Sequence, residues 1–240
     1  MFQNDALLLI AHGSGRYADA GHWVRSHAAA LAAEGAFAQV GIGLLNGSPS
    51  AAEALAELQA PTVRIVPFFM ESGWFTQTAV PRALGLDRDV TVHDGQTLRY
   101  AAPVGTHPMM AALIEQRVRR RAGSVPALVG VGHGSARLPG RVTALHHHVA
   151  ALRERGAFKV ATAAFLEEPP FAADAMAGLR DMPLAVLGFF AGEGGHVRDD
   201  LPALITEERA QRDRPLIDCG IIAEEPELRR IILDLAAGSG

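Results

Sequence analysis

His133, Glu167 and His196 are the residues whose types and places in this 240-residue chain suggest chemistry. Each follows an apolar run of strand length. His133 comes after Leu128–Gly132, Glu167 at the end of Lys159–Leu166, and His196 in the glycine-bearing loop after Leu184–Phe190. Two imidazoles and a carboxylate suit a borderline divalent ion such as Fe2+, Co2+, Ni2+ or Zn2+. Separations of 34 and 29 residues (167 − 133 and 196 − 167) are too long to be a metal motif by themselves. Their shared place at successive strand ends favours one site, because ligands in open α/β sheets sit beyond the carboxyl ends of the strands. The plainer alternative is an imidazole bonded to backbone in a turn that glycine permits, and a surface carboxylate before a Pro-Pro pair.

The chain contains its own comparison. "LLLIAHGSGR" (7–16) and "LVGVGHGSAR" (128–137) end alike, with His12 and His133 121 positions apart (133 − 12). At that offset Asn46 stands for Glu167 and Phe75 for His196. Phe cannot ligate a metal, so the first copy is expected to lack the metal function and to line the substrate pocket with His12. Ser14 and Arg16, and likewise Ser135 and Arg137, follow the histidines in strand-to-helix turns. Hydroxyl, guanidinium and backbone N–H groups there form an anion site, or else the Ser caps a helix and the Arg is solvated. Trp74 and Phe75 could stack on a planar ring or simply anchor their loop. Gly192, Gly194 and Gly195 allow close backbone approach to a flat ligand or relieve a long turn. The "HHH" run at 146–148 lies within a predicted helix, where neighbours do not share a face, so it forms no chelate; His148 matches His27 at the same offset, which favours packing.

These side chains need strands and helices to position them, and the offset says how. It holds without a gap from His12–Pro81 onto His133–Pro202, which marks an internal duplication. In each half a continuous apolar strand (Leu7–Ala11, Leu128–Gly132) precedes a helix (Ala18–Glu34, Val142–Arg155) closed by glycine. Second strands at Val40–Leu45 and Lys159–Leu166, helices at Ser50–Leu58 and Phe171–Leu179, and third strands at Val63–Phe69 and Leu184–Phe190 follow. Further helices are predicted near Val80 and Leu201. "DVTVHDG" (89–95) and "PLIDCGII" (215–222) read as fourth strands, and Met109–Arg121 and Glu227–Leu235 as last helices. The expected fold is α/β: two flavodoxin-like lobes with parallel sheets, related by duplication, at 1–122 and 123–240.

Composition narrows the function. A net charge of −4 gives no basic field for nucleic acid, and no apolar stretch is long enough to span a bilayer. One cysteine, Cys219, excludes an intrachain disulfide, and the first fifteen residues lack the basic region of a secretion signal. A cytoplasmic monomer or homodimer is expected, with neither nucleic acid nor membrane as partner. A histidine phosphatase would need Arg directly before the strand-end His; Ala11 and Gly132 stand there.

With "GHGSAR" (132–137), "AFLEEPP" (164–170) and "FFAGEGGHVRDDLP" (189–202) in view, the chain resembles the class II chelatases, in particular the sirohydrochlorin chelatases of the CbiX/SirB type. The third motif is the most specific, and the resemblance covers nearly the whole chain. It implies a two-lobed chelatase fold and insertion of Co2+ or Fe2+ (Ni2+ is a further option) into sirohydrochlorin or a related tetrapyrrole, for cobalamin or siroheme synthesis. No organic cofactor is implied. The family's metal-binding and proton-abstracting histidines fall on His133 and His196, its assisting glutamate on Glu167. A ligand rich in carboxylates would account for Ser14, Arg16, Ser135 and Arg137, with His12 and Phe75 beside the ring. A non-catalytic tetrapyrrole or metal carrier of the same fold is the alternative.

Overall fold

The computed structural model describes residues 2–17, 21–135 and 144–238. The chain forms two compact units, Met1–His107 with Pro226–Gly240, and Pro108–Glu225. In the first, strands β1 (Phe2–Gly13), β2 (Phe37–Asn46), β3 (Thr62–Pro67), β4 (Val90–His93) and β5 (Gln96–Tyr100) are ordered β2-β1-β3-β5-β4. In the second, β6 (Ala127–Gly132), β7 (Val160–Phe165), β8 (Leu184–Gly188) and β9 (Leu216–Ile221) are ordered β7-β6-β8-β9, all parallel. The two orders agree apart from the hairpin, as a duplicated α/β unit requires.

The central strand of each sheet is apolar throughout because helices cover both of its faces. Leu7 to Ile10 are fully buried, as are Leu128 and Val129. Burying each such Leu or Ile contributes roughly 1.5–3 kcal/mol. Helices α1 (His22–Ala33), α2 (Ala51–Ala56) and α3 (Val80–Leu84) of the first unit recur as α5 (Ala144–Glu154), α6 (Ala172–Ala177) and α7 (Leu201–Ala210) in the second. Ser50 starts α2 through a capping box: its hydroxyl accepts the Glu53 N–H at 3.2 Å, while its own N–H donates to Glu53 Oε2 at 2.8 Å. The paired histidines pack as the offset suggests. His27 lies 5.5 Å from the Phe68 ring and His148 5.7 Å from Phe189, all centroid distances.

Two local readings change. The segment 89–95 is not a single parallel strand: β4 runs antiparallel to β5, and β5 takes the parallel place beside β3. Asp94 and Gly95, with φ of 47° and 82°, make the tight turn between them. Nor does Ser14 cap a helix. Its hydroxyl accepts the N–H groups of Arg16 and Tyr17 at 3.2 and 3.1 Å, and the N-cap of α1 is Gly21. The compact units group the last helices across the two sequence halves 1–122 and 123–240: α4 (Met110–Ala122) belongs to the second unit and α8 (Leu228–Ala237) to the first.

Charged side chains secure both of these helices. From α4, buried Arg117 donates to the Cys219 carbonyl at 2.6 Å, to Glu225 Oε1 at 2.5 Å and to Glu224. On the first unit, Arg64 binds Asp5 at 2.6 Å and the Ala236 carbonyl at the end of α8, while His107 Nε2 meets Asp234 Oδ2 at 2.9 Å. Among the described residues, no helix is long and apolar enough to cross a membrane.

Candidate functional site

In the second unit the chain reverses direction of strand addition between β6 and β8, and a ligand crevice is expected at their carboxyl ends. His133 follows β6 directly. Backbone bonds carry the β6–β7 pairing past the strands: Leu166 N–H to the Gly132 carbonyl at 3.1 Å and Glu167 N–H to the His133 carbonyl at 3.0 Å. Glu167 is thereby fixed beside His133, while its neighbour Glu168 turns into the interior. Gly134 makes this approach possible. Its φ is +81°, and a Cβ there would lie 2.9 Å from Phe165 Cβ and from Glu168 Cγ. His196 arrives from β8 through the glycine loop and opens a π-helical turn, His196–Asp200, ahead of α7.

The three side chains converge. One ligand atom from each of His133, Glu167 and His196 lies within 4.8 Å of the others, and among the described residues this is the one such group able to hold a metal ion. The imidazole rings meet edge to face, with centroids 4.3 Å apart at 88°. Glu167 reaches both: Oε1 is 3.5 Å from His196 Nε2 and Oε2 is 3.7 Å from His133 Nδ1.

Hydrogen bonds decide which ring nitrogens are available. His133 Nδ1 lies 2.8 Å from the Gly134 carbonyl, which can only accept, so Nδ1 carries the proton and Nε2 the lone pair. His196 Nδ1 lies 2.6 Å from Asp200 Oδ2, so here too Nε2 is left as the acceptor. His196 Nε2 then faces Glu167 Oε1 across 3.5 Å, acceptor against acceptor. Two acceptors so placed attract one another only when a proton or a metal cation sits between them. All three side chains remain open to solvent, with 51%, 41% and 33% of the His133, Glu167 and His196 side chains exposed.

The first unit assembles the corresponding positions without the ligands. His12 follows β1 and donates from Nδ1 to the Gly13 carbonyl at 2.9 Å. Asn46 Nδ2 lies 3.5 Å from His12 Nδ1, and Phe75 packs edge-on to His12 at 4.7 Å and 78°. The His196 place is thus filled by a ring of similar shape with no lone pair. Phe75 also opens a π-helical turn, Phe75–Ala79. It is partly exposed and adjoins the exposed Trp74 edge to face. Arg16 is exposed and Ser14 and Ser135 half-buried. Arg137 lies outside the described residues.

Two features were not foreseen. The π-helical turns have no periodic signature in sequence. Asp200 is the second, and its spacing of four residues from His196 is the signal that finds it. Of the remaining histidines, His146 packs on Phe165 at 5.1 Å and His148 is buried. Cys219 is not part of the trio; it is buried, and burial pushes its thiol up to about 11.

Comparison with known proteins divides the chain as the sequence duplication does. The CbiX family profile matches twice, over residues 6–121 and 127–237. The chain is 29% identical to a probable sirohydrochlorin cobaltochelatase of Halobacterium salinarum, over 98% of this chain and 91% of that protein. Among solved structures it resembles DR2241 of Deinococcus radiodurans, a multi-domain protein with structural similarity to chelatases and two additional novel domains. The TM-score is 0.83 at 27% identity, over 97% of this chain and 54% of that one, so the chain spans about half the length of that relative. It also resembles CbiX, the terminal enzyme for biosynthesis of siroheme in denitrifying bacteria, with a TM-score of 0.71 at 25% identity over 98% and 99% of the two chains.

Proposed function

The chain belongs to the CbiX family, and from that premise we propose that it is a metal chelatase that inserts Co2+ or Fe2+ into sirohydrochlorin or a closely related tetrapyrrole. The observation that carries the reading is the convergence of His133, Glu167 and His196, with acceptor facing acceptor. Insertion requires the ion to lose water and the macrocycle to lose both pyrrole protons. Imidazole and carboxylate donors suit each task. They hold a borderline ion firmly enough to displace water, yet four ring nitrogens can take it from them. Once the ion has passed to the ring, His196 Nε2 and the Glu167 carboxylate are the groups placed to receive the protons.

In this reading the first unit holds the organic substrate and not the metal. His12 and Phe75 offer ring faces, while Ser14 and Arg16, like Ser135 and Arg137 in the second unit, offer donors for carboxylates. The metal is a substrate, no organic cofactor is required, and the chain acts in the cytoplasm as a monomer or homodimer.

The test is anaerobic metallation of sirohydrochlorin by Co2+, followed through the change in tetrapyrrole absorption. Protein in catalytic amount is expected to raise the rate well above that of the ion alone, over many turnovers. A protein that binds sirohydrochlorin tightly without raising the rate would be a carrier, and the chelatase reading would fall. The same series with Fe2+ and Ni2+ ranks the metals.

A further inference from the structure

We propose that Asp200 is a positioning residue for His196: its carboxylate holds the imidazole by Nδ1 and so directs Nε2 at Glu167. The inference rests on the reading of His196 as a metal ligand and proton acceptor. Oδ2 of Asp200 and Nδ1 of His196 are 2.6 Å apart, the short separation of a charge-assisted bond. A ring held in this way cannot rotate freely and is confined to the tautomer whose other nitrogen is a donor toward metal.

The alternative role for Asp200 is architectural, since an acid before α7 suits the positive end of a helix. The first unit argues against that role. Its π-helical turn Phe75–Ala79 closes in the same way as His196–Asp200, with the N–H after the turn bonded to the first residue's carbonyl in each. At the offset of 121, Phe75 stands for His196 and Ala79 for Asp200 (200 − 79). Turn and following helix therefore form without the acid, and the acid occurs where there is an imidazole to hold.

The two histidines of the site are held differently, His133 by the neutral carbonyl of Gly134 and His196 by an anion. Asp200 also lines, with Glu167 and His196, an open cavity of about 670 Å³ in the second unit. With its side chain 57% exposed, Asp200 is replaceable without disturbing the core.

The test uses the metal-free full-length protein and two readouts. Long-range 1H–15N correlation at about pH 8, where a free imidazole is neutral, reports which ring nitrogen carries the proton. Wild-type His196 is expected to be protonated at Nδ1 alone. Asp200→Ala and Asp200→Asn are expected to give mixed tautomers and Co2+ binding weaker by about 10- to 100-fold. Asp200→Glu should restore part of both, and Asp199→Asn, which removes the adjacent charge, should change neither. Unchanged tautomer and affinity in Asp200→Ala would overturn the proposal, as would an equal effect from Asp199→Asn. If the wild type shows the fixed tautomer and the Asp200-dependent affinity but no metallation, the chelatase reading fails and the role of Asp200 stands.

Discussion

His196→Ala is expected to lower the rate of metal insertion by about 100-fold or more while leaving the protein folded. The size follows from the two tasks that meet at this ring. Loss of a positioned proton acceptor alone costs about 10²–10⁴-fold. Loss of a first ligand from a three-donor set weakens capture of the ion as well. Folding should not suffer, because none of the residues of the turn His196–Asp200 is buried. Glu167→Gln keeps the shape and removes the charge facing His196 Nε2 at 3.5 Å, so it should lose most of the rate too. The informative contrast is His12→Ala. Its ring packs on Phe75, and among the described residues it belongs to no group able to hold a metal ion, so its loss should act on use of the organic substrate with metal binding intact. Equal loss of Co2+ binding in His12→Ala would remove the distinction between the two units.

The second large effect is on stability. Arg117→Ala should destabilise the chain by about 3–5 kcal/mol, the usual cost of stripping one partner from a buried ion pair. The guanidinium is buried and divided among the Cys219 carbonyl, Glu225 Oε1 and Glu224. Only 3% of the Glu225 side chain is exposed, and without Arg117 its remaining cation is the partly exposed Arg120. At about 2–4 °C per kcal/mol for a chain of this size, Tm should fall by roughly 10 °C. Arg117→Met restores the volume without the charge and should recover little. Adding Glu225→Gln should recover more, because it removes the stranded carboxylate. A double variant as unstable as the sum of the singles would show that the pair is uncoupled.

What could be read from sequence was what repetition and strand-end placement encode. A gapless offset from His12–Pro81 to His133–Pro202 makes every residue of one copy a comment on the other. The difference between Phe75 and His196 is visible before any coordinates exist. Apolar runs such as Leu7–Ile10 announce buried strands because helix-covered strands leave no face for polar residues.

The remainder turned on interactions between segments. "DVTVHDG" read as one strand because β4 and β5 are each short, although Asp94-Gly95 carried the hairpin signal. The apolar stripe of α4 says that it covers a sheet but not which one. Arg117, with its carboxylate partners 107 and 108 residues away, settles that in the second unit. Ser14 was legible as a turn residue, but a hydroxyl that satisfies Arg16 and Tyr17 N–H groups has no capacity left to cap α1. Asp200 does not stand out in sequence because an acid ahead of a helix is ordinary, and its hold on His196 emerges only from the π-helical turn.

The trio of the second unit is expected to hold one divalent ion. Anaerobic titration of the metal-free chain with Co2+, read by visible absorption, tests it most directly. One ion per chain is expected, with the signal lost in His133→Ala and Glu167→Ala and kept in His12→Ala. Binding that survives the loss of His133, or that disappears with His12 instead, would contradict it.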